Sequence, residues 1–209
     1  MEYAILIIAW CVWCSLHSLL ISLTVTNYLK AKLGIKYRFY RLFYNLFALA
    51  TLIPVILYET SLKTQLIFRW DELFLIFRFV MITIALLLYV SGAIKFNMLH
   101  FFGIRQIQSG KSYSALSKTN DIDTSGILSL IRHPWYSATI ILVWVGSREL
   151  YVSTFIVNII LTIYVMIGTV LEERKLIVEY GDKYRDYQKK VSMLFPFKWI
   201  CSKFKSMDE

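Results

Sequence analysis

The sequence has few of the features that mark a metal site, a secretion signal or a soluble nucleotide-binding domain. Of its three cysteines, Cys11 and Cys14 lie in an apolar run without the second pair that a zinc site would need, so no metal site is predicted. No Gly-rich dinucleotide fingerprint is present. The first residues carry no basic n-region and no small-residue cleavage site follows, so we expect the first apolar run to be a membrane span rather than a signal peptide.

Apolar residues, in contrast, are abundant and make up 57% of the chain. Four stretches are long enough, or nearly so, to span a bilayer: Ala4–Val25, Leu42–Tyr58, Leu73–Ile94 and Leu150–Leu171. A fifth, Ile127–Gly146, is interrupted by an Arg-His-Pro run. We therefore predict an all-α polytopic membrane helical bundle with five transmembrane helices, and one domain over residues 1–209 with no room for a second, soluble domain.

The distribution of charge predicts the orientation of this bundle. Acidic residues number 14 against 23 Lys and Arg, and most basic residues fall within 27–41, within 95–132 or after Leu171. Because cytoplasmic segments carry an excess of Lys and Arg, we expect the N-terminus outside and the C-terminus in the cytoplasm. The net charge of +9 then reflects this bias and attraction to anionic lipid headgroups, with no nucleic-acid partner.

The same pattern predicts the organisation of the single domain. Residues 1–94 would hold three N-terminal spans and residues 95–126 a cytoplasmic loop. Residues 127–171 would form a helical hairpin, and residues 172–209 a cytoplasmic or interfacial tail.

Two short clusters at this hairpin carry most of the chemistry, Arg132 to Tyr136 and Glu172-Glu173. With a helical rise of about 1.5 Å per residue, Arg132 and His133 lie about 22–24 Å from the polar tip at Ser147–Glu149, short of a hydrocarbon core about 30 Å thick. The Glu pair lies about 36 Å along the other helix, near the water. Charged groups at membrane depth usually face a cavity, a partner or a ligand.

The spacing around Pro134 is typical of a helix start that holds an anion. Proline suits the first turn of a helix, and a helix N-terminus attracts a carboxylate or phosphate. Tyr136 follows Arg132 by four residues and His133 by three, so all three side chains can reach one pocket. Glu172 or Glu173 supplies the opposite charge. A ligand with an anion and a cation, or with ribose hydroxyls, would match; the alternative is an Arg–Glu ion pair that closes the hairpin without a ligand.

Two further features have open interpretations. His17, in the first apolar run, either forms a hydrogen bond with a neighbouring helix or lines a polar cavity. Tyr180, Tyr184 and Tyr187 share one helical face. Such a stripe more often packs against the membrane interface than serves as a cofactor platform.

The order of the C-terminal motifs resembles a known family. Ser125-Gly126, Arg132-His133-Pro134-x-Tyr136, Glu172-Glu173, Gly181-x-x-Tyr184-x-x-Tyr187 and Pro196 are similar in type and order to the C-terminal half of the isoprenylcysteine carboxyl methyltransferases. Those are integral membrane enzymes that use S-adenosylmethionine. The His17-Ser18 pair and the run from Tyr40 to Tyr44 resemble the bacterial NnrU-type and thiol-methylating branches, which implies a prokaryotic cytoplasmic membrane.

The resemblance implies an S-adenosylmethionine site made by residues from three segments. The cofactor-binding candidates are Asn120, Asp121, Ile122, Asp123, Leu128, His133, Pro134, Trp135, Tyr136, Glu172 and Glu173. Leu128 stands where the family often has a tyrosine. The candidate catalytic residues are His17, Arg132 and His100, of which either His17 or His100 could assist removal of a proton from the acceptor.

The expected reaction is in-line attack of an acceptor on the sulfonium methyl group, which depends mainly on proximity and alignment. Prenylcysteine-specific members of the family carry an Arg upstream of the Glu pair, and Leu150–Leu171 contains none. A small or lipophilic thiol is therefore the first choice of acceptor, and a lipid amine or a prenylcysteine carboxylate is the second. An NADPH-dependent membrane reductase of similar architecture, or a non-enzymatic membrane protein, would also match the pattern of spans. Membrane lipids are the expected surroundings, and the oligomeric state and the identity of the acceptor stay open.

Overall fold

A computed structural model of the chain describes residues 1–95, 98–109 and 122–205. Its helices are α1 (Glu2–Leu20), α2 (Leu23–Leu33), α3 (Tyr40–Ser61), α4 (Leu73–Lys95), α5 (Met98–Phe101), α6 (Ile104–Ser109), α7 (Pro134–Val145), α8 (Val152–Tyr180), α9 (Asp182–Lys190) and α10 (Phe197–Lys205). Two short strands are present, β1 (Leu66–Arg69) and β2 (Glu149–Tyr151), and 3₁₀ turns occupy Gly34–Phe39 and Gly126–Ser129.

Four apolar helical segments are long enough to cross a membrane: Glu2–Leu20, Leu23–Ser61, Leu73–Lys95 and Val152–Tyr180. The helix Pro134–Val145 is apolar but shorter. The predicted all-α polytopic bundle is thereby confirmed, and the chain is an integral, multi-pass membrane protein. Its orientation stays a prediction.

The chain divides into two units, which are best considered one at a time. The first contains residues Met1–Arg69, Met98–Ala115 and Glu149–Tyr164. Its core is built from Leu6 and Trp10 of α1 and Val157 of α8, with apolar side chains of α3 packed around them. The first predicted span was too long at its C-terminal end: α1 ends at Leu20, and the Ser22 hydroxyl accepts a hydrogen bond from the Val25 amide (3.3 Å) and caps α2.

A two-stranded sheet in this unit was not predicted. Strands β1 and β2 pair antiparallel, with Leu66 opposite Tyr151 and Arg69 opposite Glu149. The Arg69 and Glu149 side chains also form an ion pair of 2.5 Å. Because Glu149–Tyr151 joins this ladder, the apolar run predicted from Leu150 begins as a strand, and α8 starts at Val152.

The second unit contains residues Trp70–Asn97, Leu116–Arg148 and Val165–Glu209. Helices α4 and α7 pack closely in it at Gly92, where a Cβ atom would lie 2.4 Å from Nε1 of Trp135. That Nε1 donates a hydrogen bond to the Tyr89 carbonyl oxygen (3.0 Å). A residue without a side chain at position 92 therefore lets the indole reach the backbone of α4.

The Arg78 side chain caps the C-terminal end of α7. Its Nε donates to the Val145 carbonyl oxygen (2.8 Å) and its Nη2 to that of Gly146 (2.7 Å). These carbonyl oxygens lie in the last turn of α7, where the helix has no further amide groups to bond them.

We expect Arg78→Ala to lower the free energy of unfolding by about 1–2 kcal/mol, because a cation at a helix C-terminus and its hydrogen bonds are lost. Thermal unfolding in detergent checks this, with Arg78→Lys expected to lose less.

The segment before α7 is not helical over its whole length. The predicted span Ile127–Gly146 was interrupted by an Arg-His-Pro run, and α7 begins at Pro134, after the Gly126–Ser129 turn in which Gly126 has φ +62°. The chain then pairs with the tail: the amide of Arg132 donates to Ser192 O (2.9 Å) and that of His133 to Met193 O (3.1 Å). Backbone groups that a longer helix would have satisfied are used here to hold the tail against the Arg-His segment.

Candidate functional site

The side chains of the Arg-His segment are buried just before α7. The side chains of Arg132 and His133 are only 7% and 5% exposed. Pro134 occupies the first turn of the helix, as predicted from its missing amide. The Ser137 hydroxyl contacts the carbonyl oxygens of His133 (3.1 Å) and Leu194 (2.6 Å). The backbone before the helix is thus held by α7 on one side and by the tail on the other.

Glu173 of α8 is the centre of the polar network in this unit. Its Oε1 lies 2.6 Å from both Nε and Nη2 of Arg132, 3.1 Å from Nε2 of His133 and 3.2 Å from the Tyr184 hydroxyl. Its Oε2 accepts a hydrogen bond from Nε2 of Gln188 (2.8 Å). Glu173 as a whole residue is 8% exposed. Its carboxylate accepts hydrogen bonds from four side chains.

Arg132 extends this network to the end of α9. Its Nη1 donates to the carbonyl oxygens of Gln188 (3.2 Å) and Val191. Each of the three guanidinium nitrogens therefore contacts either Glu173 or the backbone at the C-terminal end of α9. The Arg–Glu ion pair that the sequence left open as the alternative to a ligand is present between Arg132 and Glu173, and it connects three chain segments.

A cavity that opens to solvent lies beside this network. Polar and apolar side chains share its lining: Ile122, Asp123, Leu128, Arg132, His133, Leu176, Tyr180, Tyr184 and Tyr187. The cavity thus brings together residues from two segments, 122–133 and 176–187, that are far apart in the sequence. Its rings and aliphatic groups suit a flat, partly apolar ligand, and its titratable groups suit a ligand with polar ends.

The tyrosine stripe faces this cavity. Burial raises the pKa of Tyr184, and the charge of Glu173 raises it further. Burial likewise raises the pKa of Tyr187, whose hydroxyl donates to the Leu128 carbonyl oxygen (2.5 Å). Both phenols are therefore held as hydrogen-bond donors. The sequence favoured packing of this stripe against the membrane interface. In the structure, Tyr180, Tyr184 and Tyr187 instead line the cavity.

The other wall is a turn built on Asp123. Its Oδ1 accepts hydrogen bonds from the Ser125 hydroxyl (2.7 Å) and amide (2.9 Å), and its Oδ2 from Nζ of Lys95 (3.0 Å). These contacts, those from Ser125 first, lower the pKa of Asp123 to about 2. Lys95 is the last residue of α4, so the turn is fastened to the end of that helix.

Of the predicted cofactor residues, some meet at this place and others do not. Ile122, Asp123, Leu128 and His133 line the cavity, and Glu172 and Glu173 both lie near the His133 ring, against which the Tyr136 ring stacks with centroids 5.4 Å apart. Trp135 instead packs on α4, and Pro134 is buried at the start of α7. Asn120 and Asp121 lie outside the described residues.

The predicted catalytic residues are spread over both units. Arg132 lines the cavity. His17 belongs to the first unit, where the Tyr44 hydroxyl lies 2.7 Å from its Nε2 and the Trp13 ring stacks on it at 5.1 Å. This agrees with the first of its two interpretations, a histidine bonded to a neighbouring helix. His100 lies in α5, and its side chain is outside the described residues. The catalytic assignments stay predictions.

Several residues of the site were missed from the sequence. Gln188 is a polar residue among other polar residues and Lys95 is a lysine at the end of an apolar run, and their contacts join positions 15 and 28 apart in the chain. No local pattern distinguishes them. Tyr184 and Tyr187 did carry a signal, since their spacing with Tyr180 predicted a common face, but that spacing does not say what the face contacts.

Curated relatives match the chain over about half of its length. A methanethiol S-methyltransferase of Pseudomonas deceptionensis is 36% identical over 107 residues, which are 48% of this chain and 38% of the relative. One of Crocosphaera subtropica is 30% identical over 104 residues, 48% of the chain and 39% of the relative. One of Bradyrhizobium diazoefficiens is 31% identical over 105 residues, which are 49% of this chain and 35% of the relative. The matches thus span well under half the length of these relatives.

No solved structure matches the chain significantly. A match to a protein family, in contrast, extends over both units of the chain. The match to the family described as NnrU protein covers residues 5–195, and the chain therefore belongs to the NnrU family.

Proposed function

We propose that the protein is a membrane methyltransferase that transfers the methyl group of S-adenosylmethionine to a small thiol. The observation that carries the proposal is the cavity beside the Arg132–His133–Glu173 network, built from the motifs that resemble a membrane methyltransferase family. The names of the relatives, methanethiol S-methyltransferase, support both the reaction and the class of acceptor.

The chemistry of the cavity suits this cofactor. The rings of Tyr180, Tyr184 and Tyr187, with aliphatic side chains around them, offer surfaces on which an adenine can stack. The N-terminus of α7 offers a position for a carboxylate, and the Glu pair beside His133 offers acceptors for ribose hydroxyls or an amino group. S-adenosylmethionine, when bound, supplies an electrophilic methyl group. The protein's part is to hold and orient the reactants and to exclude water.

The choice of acceptor follows from charge. Leu150–Leu171, upstream of the Glu pair, contains no arginine that could bind a substrate carboxylate. The guanidinium of Arg132 contacts Glu173 and two backbone carbonyls, so it is engaged by the protein itself. An acceptor without a carboxylate therefore fits these residues better than a prenylcysteine does, and a small thiol meets that condition.

Ligand-dependent stability tests the cofactor. At 100 times its dissociation constant, S-adenosylhomocysteine is expected to stabilise the purified protein by about 2.7 kcal/mol, or about 5–10 °C in melting temperature for a chain of this size. The measurement is thermal unfolding in detergent, with NADPH as the comparison ligand and His133→Ala as the variant that should lose the shift. A shift with NADPH alone would reject the methyltransferase in favour of a reductase.

Product analysis tests the acceptor. With S-adenosylmethionine and methanethiol, the wild type should form dimethyl sulfide, detected by gas chromatography. The control acceptor is methanol, which has the same single methyl group but a far less acidic hydroxyl, and should give no methylated product. Transfer to a lipid amine or to a prenylcysteine analogue in place of methanethiol would move the assignment to that acceptor.

A further inference from the structure

Helix α10 carries an apolar stripe that the rest of the protein leaves largely exposed. Phe197, Ile200, Cys201 and Phe204 stand three or four residues apart along the helix, so they share one face. Phe197 and Phe204 are 67% and 66% exposed, and Ile200 and Cys201 are exposed as well. An exposed apolar face on an amphipathic helix marks a contact with a protein or with a membrane.

The charge of α10 favours a membrane as the partner. Phe197–Lys205 contains three lysines and no acidic residue. Lys203 lies outside the apolar stripe, with its Nζ 6.0 Å from the centre of the Trp199 ring. Lysines beside an apolar face that contains Phe are typical of a helix that lies in the interface of a membrane with anionic lipids. Because the chain is an integral membrane protein, a lipid surface always adjoins it.

The first turn of α10 is bonded to the C-terminal end of α9 and to the segment that follows it. Nζ of Lys198 donates hydrogen bonds to the carbonyl oxygens of Gln188 (2.7 Å) and Lys189 (2.9 Å). The amide of Lys198 donates to the Ser192 hydroxyl (2.9 Å). These bonds fix the start of α10 through Lys198, which lies on a different face of the helix from the apolar stripe.

The two residues that hold α10 also belong to the buried network. The Gln188 carbonyl oxygen accepts a bond from Nη1 of Arg132 (3.2 Å), and Nε2 of Gln188 donates to Glu173 (2.8 Å). The Ser192 carbonyl oxygen accepts a bond from the Arg132 amide (2.9 Å). A change in the position of α10 therefore acts on two residues that are bonded directly to the Arg132–Glu173 ion pair.

We infer that α10 is a docking helix for an anionic lipid surface, and that its bonds to Gln188 and Ser192 couple this docking to the Arg132–Glu173 network. The apolar stripe enters the boundary between lipid headgroups and acyl chains, and Lys203 approaches the lipid phosphates. Docking restricts the motion of α10, and Lys198 then holds the end of α9 more firmly. This role is independent of the ligand that the cavity binds.

The depth of two neighbouring spin labels tests the docking. The full chain, with Cys11→Ala and Cys14→Ala, carries a nitroxide either at Cys201 on the apolar stripe or, with Cys201→Ser, at position 202 in Ser202→Cys, an exposed position of the opposite face. In vesicles of equal parts phosphatidylcholine and phosphatidylglycerol, electron paramagnetic resonance should place the Cys201 label about 5–10 Å below the headgroup surface. The label at position 202 should remain in water.

The lipid and the lysine charge should both control this depth. In vesicles of phosphatidylcholine alone, the Cys201 label should move toward the water, because the attraction to anionic headgroups is lost. In anionic vesicles, Lys203→Glu should lower the ratio of docked to undocked helix by at least about fivefold. The matched control is Lys183→Glu, the same charge change at an exposed lysine of α9, which should leave the depth unchanged.

Three results would overturn the docking. Equal depth of the two labels would show that the apolar stripe has no preference for lipid, and a depth that does not depend on phosphatidylglycerol would show that the charge has no role. Exposure of both labels to water in anionic vesicles would leave the stripe to a protein partner.

Hydrogen exchange of the wild type tests the coupling without any substitution. The amides of Arg132 and His133 donate to the carbonyl oxygens of Ser192 and Met193. They should exchange about 2- to 30-fold more slowly in the anionic vesicles than in phosphatidylcholine alone. Lys198→Met removes the ammonium that bonds the end of α9 and should reduce this difference. Equal exchange in both lipids, an undiminished difference in Lys198→Met, or an equal slowing of the amides within α4 would refute the coupling.

Discussion

Replacement of Arg132 by alanine is expected to lower the free energy of unfolding by about 3–5 kcal/mol, the largest effect of any single substitution at the site. The guanidinium is 7% exposed and bonds Glu173 through two nitrogens, so its removal leaves a carboxylate that is 11% exposed without its cation. The carbonyl oxygens of Gln188 and Val191 lose a donor as well. Thermal or denaturant unfolding in detergent micelles measures the change.

The matched control is Arg174→Ala, an exposed arginine next to Glu173 on the same helix, which should change stability by no more than about 0.5 kcal/mol. A second variant separates the unpaired charge from the lost packing. Arg132→Met with Glu173→Gln removes both charges, and should be less destabilised than Arg132→Met alone. Equal losses from Arg132→Ala and Arg174→Ala would show that the buried network does not stabilise this unit.

Replacement of Gly92 by alanine is expected to cost about 2–4 kcal/mol, because overpacking is added to the loss of a hydrogen bond. The new Cβ would lie 2.4 Å from Nε1 and 2.5 Å from Cδ1 of Trp135, so the indole must move. Its movement breaks the bond to the Tyr89 carbonyl oxygen. The melting temperature in detergent is the measurement.

Gly168→Ala on α8 is the control for this substitution. Nothing lies within 4 Å of a Cβ atom at Gly168, so the same change of residue should there be neutral or stabilising by up to about 1 kcal/mol. In a Trp135→Ala background, Gly92→Ala should cost far less than in the wild type, since the clashing ring is absent. A cost that is the same in both backgrounds would contradict the packing explanation.

The network around Glu173 also bears on the proposed transfer reaction. Its polar groups are bonded to each other, to the backbone before α7 and to the residues that follow α9. The side chains that line the cavity therefore rest on a hydrogen-bonded framework. Such preorganisation suits a transfer reaction that depends on alignment more than on acid–base chemistry.

Local properties of the sequence were enough for the class of the protein and for the elements of the site. Long apolar runs predicted the membrane helices, because hydropathy needs no knowledge of the rest of the chain. Pro134 predicted the start of α7, since its missing amide is tolerated in a first helical turn. The spacing of the Arg-His-Pro and Glu-Glu motifs indicated that positive and negative groups meet, and the resemblance carried by those motifs led to the family.

Only the tertiary structure determined which contacts each of these groups makes. The bonds that distinguish Glu173 from Glu172 come from Arg132, 41 residues away, and from α9, so no pattern around two adjacent glutamates contains them. The strand at Glu149–Tyr151 and the pairing of the Arg-His segment with the tail depend likewise on distant backbone partners. Hydropathy and helical periodicity describe what a residue's neighbours in sequence require, whereas the direction of a buried side chain depends on which distant donors and acceptors the folded chain brings to it.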